Sequence, residues 1–145
     1  MDNMSRRGFD PLTYRFEDQA PERGEVTEVA EGCFWARMPI GGRLNHINVW
    51  LLRDGEGWTI VDTGLFGEHT QGHWRGIFEN YLDGKPVTRV IATHLHNDHT
   101  GNAGWICQEW GCELWMSRSD FYMCKVMACL LYTSDAADDM QCVDL

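Results

Sequence analysis

The chain has 145 residues, with 12 Lys plus Arg against 22 Asp plus Glu, a formal charge of −10 and 43% hydrophobic residues. An acidic surplus repels phosphate backbones and anionic lipid, so bulk charge supplies no drive toward nucleic acid or a membrane surface. The length suits one domain with a buried core, and no apolar run approaches the roughly 20 residues of a membrane helix.

Residues 1–23 mix charge, Pro and Gly without helical or strand periodicity and read as a poorly ordered lead-in. Within it, Ser5-Arg6-Arg7-Gly8-Phe9 resembles a twin-arginine export signal, but the polar stretch with Pro11 and Pro21 that follows offers no apolar segment. Export is therefore not expected. The six cysteines contain no Cys-x-x-Cys pair, which reads as reduced thiols in a cytoplasmic protein.

From Glu25 the pattern changes. Val26, Val29, Phe34, Ala36 and Met38 predict extended segments turning at Glu31-Gly32. The dense apolar runs 47–52 and 58–61, separated around Asp54-Gly55, predict a hairpin. Over 68–82 the apolar residues Trp74, Ile77, Phe78, Tyr81 and Leu82 recur at helical spacing, and Asp83-Gly84 closes that helix. Residues 87–92 then read as a buried strand, 101–110 as a helix and 113–116 as a short strand. Ser117 or Ser119 caps a last helix to about Ala128. Strands first, then strand and helix in alternation, predict an α/β architecture.

Beyond Ala128 the character of the chain shifts again. Residues 129–139 resemble, residue for residue, the translation of a transposase-type sequencing adapter. Cys142-Val143-Asp144-Leu145 matches the next adapter segment in the same frame. The expectation is a partial domain over 24–128 and a non-native tail over 129–145. The balance stays acidic without Asp135, Asp138, Asp139 and Asp144.

The stretch that carries chemistry is Thr93-His94-Leu95-His96-Asn97-Asp98-His99-Thr100-Gly101-Asn102. In an extended segment residues two apart face the same side, so His94 and His96 can converge on one metal ion. Asp98 and His99, in the turn that follows, can face a second ion nearby. Nitrogen and oxygen ligands of this kind suit Zn²⁺, with Fe or Mn as other choices.

This segment resembles the signature of the metallo-β-lactamase-fold hydrolases, which include glyoxalase II-like thioesterases, lactonases, β-lactamases and some ribonucleases. The resemblance runs from about Glu25 to Ala128 and takes in Thr59-Ile60-Val61-Asp62-Thr63-Gly64 as well as His94 to His99. It implies an α/β chain (α+β in some schemes) that forms the N-terminal half of a four-layer αββα sandwich. It also implies that His94 and His96 hold a first metal, that Asp98 and His99 serve a second, and that Asp98 orients the attacking water. Asp62 would fix the ligands from behind, and Gly64 would permit a close turn. By the same resemblance, two zinc ions in the full-length protein would activate water against an ester, thioester, lactone or lactam in a small-molecule substrate. His rather than Glu at position 96 departs from the redox-active flavo-diiron branch, which favours hydrolysis over oxygen chemistry.

A member of that family also needs a third first-site histidine, a bridging aspartate and a last second-site histidine from downstream. No histidine follows His99 in this sequence. The chain therefore reads as an amino-terminal fragment, inactive alone, with one sheet face left without a partner layer. His69 and His73, four apart on a helix, read as an exposed face, and His46 is a candidate for the site mouth. Cys33, Cys107, Cys112 and Cys124 read as small buried residues, and most of the tryptophans as core. Two other functions stay open. One is a nuclease of the same fold, against which the acidic charge and the lack of a Lys/Arg cluster near the motif count. The other is a non-catalytic metal-binding remnant.

Overall fold

In the computed structural model residue 16 and residues 20–133 are described, with side chains given as far as Cys129. The supposed adapter segment beyond Thr133, and the lead-in apart from Phe16 and residues 20–23, lie outside the described residues. Of the lead-in, Pro21 is buried and its carbonyl accepts a hydrogen bond from Arg37 Nε at 2.6 Å.

Six strands form one sheet in sequence order. β1 (Val26–Ala30), β2 (Cys33–Pro39), β3 (His46–Asp54) and β4 (Gly57–Val61) are antiparallel neighbours. β5 (Val87–Ile91) and β6 (Glu113–Trp115) then add in parallel. The β3–β4 turn is the two-residue loop that Asp54-Gly55 predicts: Asp54 pairs with Gly57, and Gly55 takes the positive φ, +59°, that such a loop requires. Parallel neighbours need a crossover on one face. Helix α1 (Glu68–Tyr81) supplies it between β4 and β5, and α2 (Asn97–Thr100) with α3 (Ala103–Trp110) supplies it between β5 and β6.

Period-two alternation decides which side the helices cover. Ala36, Met38, Ile47, Val49, Leu51 and Ile60 face α1 and α3, whose Trp74, Ile77, Ala103 and Ile106 meet them in one core. Each large side chain fully withdrawn from water there contributes about 1.5–3 kcal/mol. The alternate positions, Trp35, Arg37, Asn48 and Trp50, face the other side and stay partly or wholly exposed. Trp35 Nε1 donates to Asn48 Oδ1 across that face at 2.8 Å.

Two boundaries differ from those the sequence predicts. The segment after the histidines is not a plain turn into a helix at Gly101. It forms the short α2, whose amides from His99 and Thr100 bond back to the His96 carbonyl, and α3 begins only at Ala103. The last helix, α4 (Arg118–Thr133), passes Ala128 by five residues because no Gly or Pro interrupts its backbone ladder there. Ser117 caps it, its hydroxyl accepting from the Asp120 amide at 3.1 Å. Among the described residues no helix is long and apolar enough to cross a membrane.

Candidate metal centre

β4 and β5 are parallel, so their carboxyl ends open at the same edge of the sheet, the place where open α/β sheets bind ligands. After Val61 the chain turns through Asp62 and Gly64, both at positive φ, +61° and +80°. An aspartate tolerates that conformation better than most residues do, at some cost in strain. Gly64 is needed for a second reason: a Cβ there would stand 2.7 Å from Thr70 Cγ2 and 3.0 Å from Met38 Cβ.

After β5 the chain presents Thr93, His94, His96, Asp98 and His99 to this same turn. The structure groups the donors in pairs. His94 Nε2 and His96 Nδ1 stand 3.0 Å apart, and His99 Nε2 lies 3.5 Å from Asp98 Oδ2. The His94 and His99 rings meet with centroids 4.0 Å apart, so the two pairs adjoin.

Behind them sits one buried carboxylate, Asp62, which is 5% exposed. It accepts from the Thr93 amide at 2.8 Å, from the Thr93 hydroxyl at 2.9 Å and from His99 Nδ1 at 2.8 Å. For neutral rings, the hydrogen bonds to Asp62 and Thr93 assign two tautomers. His99 donates from Nδ1 to Asp62, which leaves the Nε2 lone pair facing Asp98. Thr93 spends its only hydroxyl proton on Asp62, so at 3.0 Å it accepts from His94 Nδ1, and the His94 Nε2 lone pair turns toward His96. One carboxylate thus aims two imidazoles, one directly and one through a threonine.

These spacings fit a metal ion. Two ligands bound at about 2.0–2.1 Å to a tetrahedral Zn²⁺ stand about 3.3 Å apart. The observed 3.0 and 3.5 Å bracket that value, and the donor set is the nitrogen and oxygen chemistry such an ion takes. Among the described residues no group of three or more His, Cys, Asp or Glu side chains is gathered for one ion. The arrangement is two adjoining pairs of donors.

Several residues that shape the site carry no metal-ligand signature in the sequence. Thr93 was readable only as a hydroxyl next to a histidine. Asn102 is fully buried and its Nδ2 lies 2.7 Å from the Leu65 carbonyl, 3.2 Å from that of Thr63 and 3.3 Å from that of Gly64. Trp74 Nε1 donates to the Thr63 carbonyl at 2.8 Å, and the Thr63 amide donates to the His99 carbonyl at 2.8 Å. Together they lock the Asp62 turn onto α2. Gly101 permits the close approach: a Cβ there would fall 2.4 Å from the Phe66 nitrogen and 2.5 Å from the Asn97 oxygen.

The other histidines lie elsewhere. His69 is exposed on α1, but His73 is not part of an open face. It is half-buried against Gly24, its Nε2 has no partner among the described residues, and its ring meets that of His69 with centroids 4.9 Å apart. His46 opens β3 beside Arg23, Arg37 and Asn45.

Comparison with known proteins adds the following. The sequence model of the metallo-beta-lactamase superfamily matches residues 42–125. A beta-lactamase domain protein from Burkholderia ambifaria has a similar structure, with a TM-score of 0.76 and 46% identity over 79% of this chain and 38% of that one. A metallo beta lactamase from Hirschia baltica gives a TM-score of 0.58 at 18% identity, covering 72% of this chain and 48% of that one. The metallo-beta-lactamase FIM-1 from Pseudomonas aeruginosa, solved in a mono-zinc form, gives 0.56 at 19% identity, over 69% and 44%. The last two likenesses bear on the fold alone. The chain spans less than half the length of each of these structures. No curated protein matches it.

Proposed function

The chain belongs to the metallo-beta-lactamase superfamily, and on that premise we propose that it carries the first ligands of a binuclear zinc hydrolase site. Membership supports a metal-dependent hydrolase in kind. The observation that carries the finer reading is the Asp62 carboxylate, which orients His99 directly and His94 through Thr93, each with a lone pair toward a second donor. Buried carboxylates that take the outer N–H of an imidazole are the usual support of metal-ligating histidines.

In this reading His94 and His96 hold one ion, and Asp98 and His99 the other. Zinc, when bound there, supplies Lewis acidity and a water whose pKa is lowered toward neutrality. The protein's own contribution is orientation. His96 Nδ1, which donates to His94 Nε2 in the metal-free chain, must pass its proton to Nε2 before both nitrogens can serve as ligands. That is a change of tautomer within a neutral ring, with no proton lost. Asp98, the carboxylate nearest His99 Nε2, lies where it can accept a proton from attacking water. The substrate class we assign is an ester, thioester, lactone or lactam, attacked by water without a serine or cysteine nucleophile.

Because the chain spans 38% of its Burkholderia relative, the activity is assigned to a longer protein. The test is to read the source gene through the codon for Ala128, express the product with zinc, and assay those four substrate classes. Hydrolysis that is lost in His94→Ala and His96→Ala supports the proposal. A well-folded product that binds no zinc, or hydrolyses none of the four, refutes it.

A further inference from the structure

We infer that the pocket at the β2–β3 connection, lined by Glu22, Arg23, Arg37, Asn45 and His46, binds the oxyanion of a small ligand, a carboxylate or a phosphate. The pocket measures about 370 Å³ and opens to solvent. Its position follows from register. Pro39 pairs with His46 and Arg37 with Asn48, so the end of β2 and the start of β3 form its floor. Trp50 pairs with Val61, so His46 lies four residues beyond the end of β4, at the same end of the sheet as the histidine cluster. The inference does not depend on the metal reading.

Three observations point to an anion. In a chain with 22 acidic residues against 12 basic ones, two arginines line one pocket, and neither forms an ion pair among the described residues. Each is instead fixed by one hydrogen bond to a neutral oxygen: Arg23 Nη2 to Asn45 Oδ1 at 2.7 Å, and Arg37 Nε to the Pro21 carbonyl at 2.6 Å. No carboxylate pairs with either guanidinium among the described residues, and Glu22 offsets only one of the two charges. Second, His46 Nδ1 is buried without a hydrogen-bond partner among the described residues. An imidazole with its proton on Nδ1 gives a third donor in need of an acceptor. Third, Arg37 and Arg23 both stand close enough to His46 to add to burial in holding its imidazole below the ordinary pKa, so two positive charges converge on this ring. Planar guanidinium groups bind carboxylate and phosphate through paired, charge-assisted hydrogen bonds.

The test uses the full chain, labelled with ¹³C and ¹⁵N at His and Arg and kept free of added metal and at low chloride. Sodium phosphate and sodium succinate are titrated separately, with sodium chloride at matched ionic strength as reference. The expected result is a saturable shift of the His46 ring and the Arg37 Nε–H with one of the two anions. Saturation by succinate alone assigns a carboxylate ligand, and saturation by phosphate alone a phosphate one. Arg37→Gln weakens the binding roughly tenfold or more, as loss of a charge-assisted pair should. Since Arg37 also holds Pro21, Arg23→Gln provides a second variant that gives up only a surface contact, and the same weakening is expected. Arg43→Gln, on the same connection but outside the pocket, leaves binding unchanged. Shifts no greater than those of chloride, or both pocket variants binding like the parent chain, overturn the inference.

Discussion

Replacing Asp62 by Asn tests whether one carboxylate sets the tautomers of the histidine cluster. Asn occupies the left-handed region at φ +61° as readily as Asp, so the backbone strain at this position is left alone and charge and acceptor capacity change. The carboxylate now accepts three donors in a position 5% exposed. An amide retains one oxygen, enough for the Thr93 amide and hydroxyl, and turns an NH₂ toward His99 Nδ1. Two donors then face each other at a 2.8 Å separation. His99 must move its proton to Nε2 or lose the contact, and in either case its lone pair no longer faces Asp98. A hydrogen bond to a charged group contributes about 1.5–3 kcal/mol, and one or two are lost, so a destabilisation of about 2–4 kcal/mol is expected. With a urea slope of about 1–3 kcal/mol per M, that moves the unfolding midpoint by about 0.7–4 M. Zinc affinity falls about 10–100-fold, the usual effect of removing such an outer carboxylate. The assays are urea unfolding followed by tryptophan fluorescence, ¹⁵N chemical shifts of the His99 ring, and competition with a zinc chelator. If the midpoint moves by less than about 0.3 M and His99 keeps its proton on Nδ1, Asp62 does not set the tautomer and the reasoning fails.

Three further outcomes follow from the packing and the titrating groups. Gly101→Ala adds a Cβ within 2.4–2.7 Å of three backbone atoms of Phe66, Asn97 and Gly64; the overpacking, about 1–3 kcal/mol, exceeds the gain of about 1 kcal/mol from alanine's helix preference, so urea unfolding should show net destabilisation. His46 and His73 both titrate below the ordinary histidine value in the folded chain, His46 through burial, Arg37 and Arg23, and His73 through burial, His69 and Arg23. The unfolded chain therefore takes up protons first, and the stability these two contribute is full above about pH 6.5 and is lost as pH falls below it; urea midpoints between pH 5 and 8 should show that slope, and His73→Gln should flatten it. Burial, then the neighbouring Cys112, pushes the Cys107 thiol up to about 12, so at pH 8 iodoacetamide should leave Cys107 unlabelled in the folded chain and label it in urea, as peptide mass mapping would reveal.

The order of the elements was legible because it is written in local chemistry. Gly32, Gly55 and Gly84 take positive φ at the turns where they were expected. The spacing of Ala36 and Met38 in β2 and the helical spacing of Trp74 and Ile77 in α1 picked out residues of the shared core, whereas β3 read only as a dense apolar run. The histidine motif was legible for the same reason, since all its donors fall within six residues and a single strand end presents them. What failed locally was the boundary at Gly101. Its glycine reads as a helix start, whereas it is there so that α2 can approach the Gly64–Phe66 turn.

The parts that were not legible are those made by contacts between distant segments. Asp62 was placed behind the ligands by the family resemblance alone; it meets His99, 37 residues away, because β4 and β5 are parallel neighbours with their ends in register. Asn102, quoted with the histidine stretch but given no role of its own, is placed by the same closure over three successive carbonyls and supplies the donors that a buried turn requires. The pocket of Arg23, Arg37 and His46 arises from the pairing of β2 with β3 and from Pro21 folding back onto Arg37. In the sequence Arg23 and Arg37 are ordinary charged residues and His46 is a candidate for the site mouth, each read by itself. Only their convergence, with no ion pair among the described residues to absorb the charge, turns them into a site. The metal ligands we propose fall within one six-residue motif, whereas the contacts that orient them, and the groups we assign to an anion, depend on strand register.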